Sequence, residues 1–134
     1  MVYNEYNKVK EKWYGGKILP GNSRELAFQI ADVLESKKAV NVLVLDISHL
    51  TIIADCFVIA SGNTERQVKS LCDELEEAME KQGIKAHRKE GYRSGRWIVL
   101  DYGDVVVHLL HRDDRAFYNL EKLWADSLPL SVRS

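Results

Sequence analysis

The run "RWIVLDYGDVVVHLL", residues 96–110, constrains the fold more than any other part of the chain. Two strand-like runs flank one acidic turn, and side chains on a strand alternate between faces with a period of two. Trp97 and Val99 therefore share a face with Asp101, while Ile98, Leu100 and Tyr102 share the other. Both faces are apolar up to the turn. Such a pair of strands belongs in the interior of a sheet with cover on both sides, not at a solvated edge.

The rest of the chain supplies that cover. Asn22 or Ser23 can accept a hydrogen bond from the free amides at a helix start, and Leu26, Ile30, Val33 and Leu34 follow as a stripe, so the spacing predicts a helix over 23–37. "VNVLVLDI" (40–47) and "CFVIAS" (56–61) are short and β-branched and predict strands, joined by "SHLTIIAD". After "SGNTERQ" the apolar period becomes helical through Val68, Leu71, Cys72, Leu75, Ala78 and Met79, and Gly83 is placed to end that helix. "IKAHRK" (84–89), "RWIVLD" (96–101) and "VVVHLL" (105–110) predict three further strands. "DDRAFYNLEKLWAD" (113–126) closes the series with a helix, its acids at the start and Phe117, Leu120 and Trp124 on one stripe. The interleaved order predicts an α/β fold, a mixed β-sheet with packed helices. Three helices are few for two sheet faces. Part of one face is expected to stay open as an apolar, charge-ringed partner site.

A chain of 134 residues fits one core. Residues 1–21 stand apart because they end in the breakers Gly15-Gly16 and Pro20-Gly21; Val2, Tyr6, Val9 and Trp13 recur at helical spacing, which fits a docking arm or, more plainly, a surface helix or ordered tail. Lys and Arg number 19 against 20 Asp and Glu, a net charge of −1, so composition provides no general field for binding nucleic acid. No run reaches the roughly 18 apolar residues of a membrane helix, and no cleavable leader is visible, so a soluble cytoplasmic protein is expected. Cys56 and Cys72 form no CxxC or Cys/His cluster and read as buried thiols of a reducing compartment.

Motifs that could carry chemistry have plainer readings beside them. Ser61, Gly62 and Asn63 lie between a strand and a helix, where free amides can hold a phosphate, yet neither a P-loop lysine nor a three-glycine fingerprint is present. Gly62 as a turn and Asn63 or Thr64 as a helix cap account for the same letters. A nucleotidyltransferase would need carboxylates converging on two metal ions. Asp101 and Asp104 instead flank a Tyr-Gly turn, and Asp46 and Asp55 lie elsewhere. His108 and His111 would fall on opposite faces of one strand, and His49 and His87 have no activating neighbours. The basic residues His87, Arg88, Lys89, Arg93 and Arg96 are interrupted by Glu90 and read as a solvated strand edge.

The segments "DISHLTIIADCFVIASGNTERQV" and "EGYRSGRWIVLDYGDVVVHLLHRDDRAFYNLEKLW", with the spacing between them, resemble the ribosomal silencing factor, or Iojap-like, family. The resemblance spans residues 22–126 and leaves 1–21 as an N-terminal extension and 127–134 as a C-terminal tail. It implies a nucleotidyltransferase-like fold lacking the catalytic residues, no enzymatic activity, no metal and no cofactor. It also implies binding to the large ribosomal subunit through its fourteenth protein, a steric block to joining of the small subunit, and repression of translation when nutrients are scarce. Trp97, Asp101, Tyr102 and Asp104 match family positions expected to dock, with Glu90 and Leu100 as further candidates. Trp97 and Tyr102 lie on opposite strand faces, so the docking edge would have to expose the strand end. Two alternatives remain open: a nucleotidyltransferase-like enzyme using Ser61, Asp101 and Asp104, and a self-associating module that buries the hairpin in a homodimer.

Overall fold

A computed structural model of the chain describes residues 23–118 and 128–132. The elements run α1 (Ser23–Ser36), β1 (Val40–Asp46), β2 (Cys56–Gly62), α2 (Glu65–Glu80), β3 (Arg88–Glu90), β4 (Trp97–Asp101), β5 (Val105–His111), α3 (Arg112–Tyr118) and β6 (Leu128–Val132). The six strands form one sheet in the order β3-β4-β5-β2-β1-β6. Among the described residues only β2 and β5 run parallel; the other pairings are antiparallel. The mixed α/β sheet expected from the order of elements is therefore the observed architecture. The N-terminal extension at 1–21, with its readings as docking arm, surface helix or ordered tail, and the continuation of the last helix through Leu120 and Trp124 lie outside the described residues.

The helices α1 and α2 bury their apolar stripes on one face of the sheet. Ala27, Ile30 and Leu34 from α1 and Val68, Leu71 and Leu75 from α2 pack there with Val44, Val58, Ile98, Leu100, Val107 and Leu109. Thr64 caps α2, its hydroxyl accepting from the Gln67 amide at 3.0 Å. Ser23, the first residue of the helix, donates its hydroxyl to the Asp55 carboxylate at 2.9 Å and ties α1 to the loop before β2, while Asn22, the other candidate cap, lies outside the described residues. A smaller cluster of Leu43, Leu45, Ile47, Ala54, Ile59 and Leu110 occupies the opposite face, with Phe57, Trp97 and Val106 packed at its margin. The central strands thus carry apolar residues on both faces, as the opening run implied.

Two strands differ from expectation. Of residues 84–89 only Arg88 and Lys89 lie in β3, with the His87 amide donating to the Asp101 carbonyl at 2.7 Å just before it, while the Ile84 amide donates to the Met79 carbonyl at 3.0 Å and closes the end of α2. Leu128–Val132, placed in a C-terminal tail by sequence, pairs with β1 as an edge strand; an edge tolerates Pro129, which has no amide to donate. Among the described residues no helix is long and apolar enough to cross a membrane.

Candidate docking face

The register places three of the docking candidates, Trp97, Asp101 and Glu90, in rows across the face opposite α1 and α2. One row runs Arg88, Asp101, Val106, Phe57 and Leu45; the next runs Glu90, Val99, His108, Ile59 and Leu43; a third joins Trp97, Leu110 and Ser61. Phe57, Trp97, Val99, Asp101 and Val106 are half-buried there, and Arg88 and Glu90 are exposed on the short β3. The result is an apolar patch centred on two aromatic rings with acids and one arginine at its margin.

Trp97 is held in place rather than free to swing. Its indole Nε1 donates to His108 Nδ1 at 3.1 Å, and the edge of the His108 ring meets Phe57 with centroids 4.5 Å apart. The imidazole is only 9% exposed, and burial pushes its pKa down to about 4, so it is neutral at ordinary pH. Behind Trp97, Gly91 adopts φ +82; a Cβ at this position would lie 2.0 Å from the Trp97 carbonyl oxygen, so only glycine lets the β3–β4 connection fold so close.

The acidic turn is built by its own backbone. Asp101 Oδ1 accepts from the Gly103 amide at 2.7 Å, and Gly103 takes φ +93. The Asp104 carbonyl accepts from the amides of Asp55 at 2.8 Å and Cys56 at 3.0 Å, pinning the turn to the start of β2 while the Asp104 residue stays exposed. Leu50, Ile52 and Ile53 form an exposed apolar tip on the β1–β2 loop at this same end of the sheet, a feature that "SHLTIIAD" alone did not distinguish from a buried connection.

Of the six candidates for docking, the structure brings Trp97, Asp101 and Glu90 to one face and Asp104 to its rim. Leu100 and Tyr102 are elsewhere. Both are buried on the opposite face, 0% and 6% exposed, among residues that pack beneath α1 and α2. Strand alternation separates them from Trp97, and the strand end is closed by the turn instead of being left open. Sequence reasoning missed Val106 and His108, which the antiparallel β4–β5 pairing sets on the face of Trp97, and Phe57, which joins them only through the parallel pairing of β2 with β5.

The remaining motifs are occupied by structural work. Asn63 donates its amide to Gln67 Oε1 at 2.6 Å and Ser61 Oγ accepts from Arg115 at 3.1 Å, so these groups serve the chain itself, in keeping with the turn-and-cap reading of Gly62 and Thr64. Asp46 and Asp55 line a pocket of about 190 Å³ with Ser23, Arg24, Ser48 and Cys56, apart from the Asp101 carboxylate. Burial alone would raise the Asp46 pKa, but hydrogen bonds from Ser48 and Arg24 outweigh it and hold the carboxyl below its usual range. Cys72, Asp73 and Glu76 cluster closely enough to hold a cation, yet Glu76 is paired with Lys89 at 3.1 Å and Asp73 accepts from Tyr92 at 3.0 Å. The basic edge is likewise matched: Arg88 pairs with Glu90, and Arg96 with Asp114 and Glu65.

Residues 20–133 match the family model described as "Ribosomal silencing factor during starvation". The chain is 44% identical over 106 residues to the ribosomal silencing factor of Halalkalibacterium halodurans, covering 79% of this chain and 91% of that protein. Identity to the Bacillus subtilis ribosomal silencing factor is 38%, over 79% and 90% of the two chains. The chloroplastic Iojap protein of Zea mays is 29% identical over 79% of this chain and 46% of its own length. A crystal structure of a Chromobacterium violaceum protein superposes with a TM-score of 0.71 at 33% identity, covering 75% of this chain and 85% of that one. A Bacillus halodurans crystal structure does so with a TM-score of 0.67 at 44% identity, covering 75% and 94%. The family model and the Halalkalibacterium halodurans and Bacillus subtilis relatives carry the name ribosomal silencing factor. The chain belongs to the ribosomal silencing factor family.

Proposed function

We propose that this chain binds the large ribosomal subunit through the subunit's fourteenth protein and occupies the surface that would meet the small subunit, so that the subunits cannot join. Translation is thereby repressed when nutrients are scarce. Family membership supports a ribosomal target. The observation that carries the docking assignment is Trp97, half-buried and hydrogen-bonded in place, on the sheet face opposite α1 and α2 with acids beside it. Silencing of this kind is steric. No bond is made or broken, so the chain needs a complementary surface and no catalytic group.

Trp97, Phe57, Val99 and Val106 would supply the desolvated centre of the contact, where aromatic anchors contribute most. Asp101, Asp104 and Glu90 would complement basic groups on the ribosomal protein and speed encounter. Leu100 and Tyr102 support the sheet from behind. Cosedimentation with separated subunits tests the reading: the chain should pellet with large subunits and not with small ones, and Trp97→Ala with Asp101→Ala should abolish this while leaving the circular dichroism unchanged. Undiminished binding by that double variant rules out the docking face.

A further inference from the structure

His108 occupies the middle of the docking face, with Ile59 and Val99 beside it in its row and Val106 and Leu110 on either side along β5. An aliphatic residue would suit such a position, as it does at 106 and 110. The imidazole instead accepts the Trp97 indole proton at Nδ1, 3.1 Å away, which leaves the proton of the neutral ring on Nε2. Nε2 is buried with no hydrogen-bond partner among the described residues. A buried donor left unsatisfied costs stability, so this histidine is poorly explained as a core-filling residue. Phe57 meets the ring at an interplanar angle of 62°, so imidazole and indole are fixed against each other and against β2.

We infer that His108 is a positioning residue for docking: its Nδ1 holds the Trp97 indole in the one orientation that presents its half-buried ring to the ribosomal protein. The inference rests on the docking reading above. Holding the side chain before contact removes an ordering cost that binding would otherwise meet. Burial keeps the His108 pKa near 4, so Nδ1 remains an acceptor throughout the neutral range.

Affinity for purified large subunits is measured with the full chain and its variants. His108→Phe keeps a flat ring but has no acceptor, and binding should weaken roughly 3- to 10-fold. His108→Asn places Oδ1 where Nδ1 lies and should recover most of the loss. In a Trp97→Phe background there is no indole proton to hold, so adding His108→Phe should cause no further loss. An equal loss from His108→Phe in both backgrounds, or none in the wild-type background, overturns the positioning role while leaving the docking reading standing. A wild-type chain that fails to bind large subunits overturns both. Should His108→Phe not fold, the wild-type protein decides: the Trp97 indole proton, assigned by NMR through Trp97→Phe, should exchange with water far more slowly than in free tryptophan, and free-like exchange overturns the inference.

Discussion

Arg115 of α3 donates through Nη1 to the Asn41 carbonyl oxygen at 2.6 Å, where β1 leaves its regular register. Asn41 has φ +53, and the ladder between β1 and β2 shifts between Val40 and Leu43. A bulge turns carbonyls out of the ladder, and the guanidinium satisfies them. The same nitrogen reaches Ser61 Oγ on β2, so one buried cation joins a seven-residue helix to two strands. Arg115→Met keeps the aliphatic stem and deletes the donors; it should lower stability by about 1–3 kcal/mol, the scale of charge-assisted hydrogen bonds. Urea unfolding measures this directly, and an unchanged midpoint would falsify the role.

Leu100 and Tyr102 provide a second test, because their burial makes them determinants of folding instead of contact. Leu100→Ala should cost about 2–5 kcal/mol through lost burial and the cavity it leaves. Its ribosome binding should fall only in proportion to the unfolded fraction. Tyr102→Phe should do the reverse: its hydroxyl is buried with no hydrogen-bond partner among the described residues, so removing it should leave stability unchanged or raise it by up to ~1 kcal/mol. The unfolding temperature should therefore fall for Leu100→Ala and hold or rise for Tyr102→Phe.

Acid should weaken the fold through His108. Burial lowers its folded pKa to about 4 from an ordinary 6.5, so the unfolded chain takes up a proton first as pH falls. The stability due to the neutral ring is fully present above about pH 6.5 and is lost progressively towards pH 4, about 3 kcal/mol in all. His108→Phe removes this proton uptake. The difference between the two stability curves should be flat above pH 7 and should change steadily between pH 6.5 and 4; parallel curves across that window would contradict the assignment.

The thiols offer a fourth measurement. Burial pushes Cys56 and Cys72 up to about 12, with nearby carboxylates, Asp46 for the first and Glu76 for the second, acting in the same direction. Thiolate is the reacting form, so neither should be alkylated at pH 8 on the time scale that labels a free cysteine. Both should label at once in denaturant. Fast native labelling of either would mean that its packing opens readily.

Much of the architecture was legible in local pattern. The stripe at Val68, Leu71, Cys72 and Leu75 specified α2, and β-branched runs specified β1, β2, β4 and β5, because helix and strand periods are properties of neighbouring residues. Strand alternation alone assigned Trp97 and Asp101 to one face and Leu100 and Tyr102 to the other. It did not say which face would receive α1 and α2. That choice depends on how the helices return across the sheet, and it puts Leu100 and Tyr102 in the core while leaving Trp97 half-buried. Nor could local pattern bring Phe57 and His108 together, since parallel pairing joins strands far apart in the chain and its register is set by packing. Sequence by itself determined α1, α2, the strands β1, β2, β4 and β5, and the family; only the tertiary structure decided which side of "RWIVLDYGDVVVHLL" meets the helices, because burial is a relation between elements and not a property of either strand.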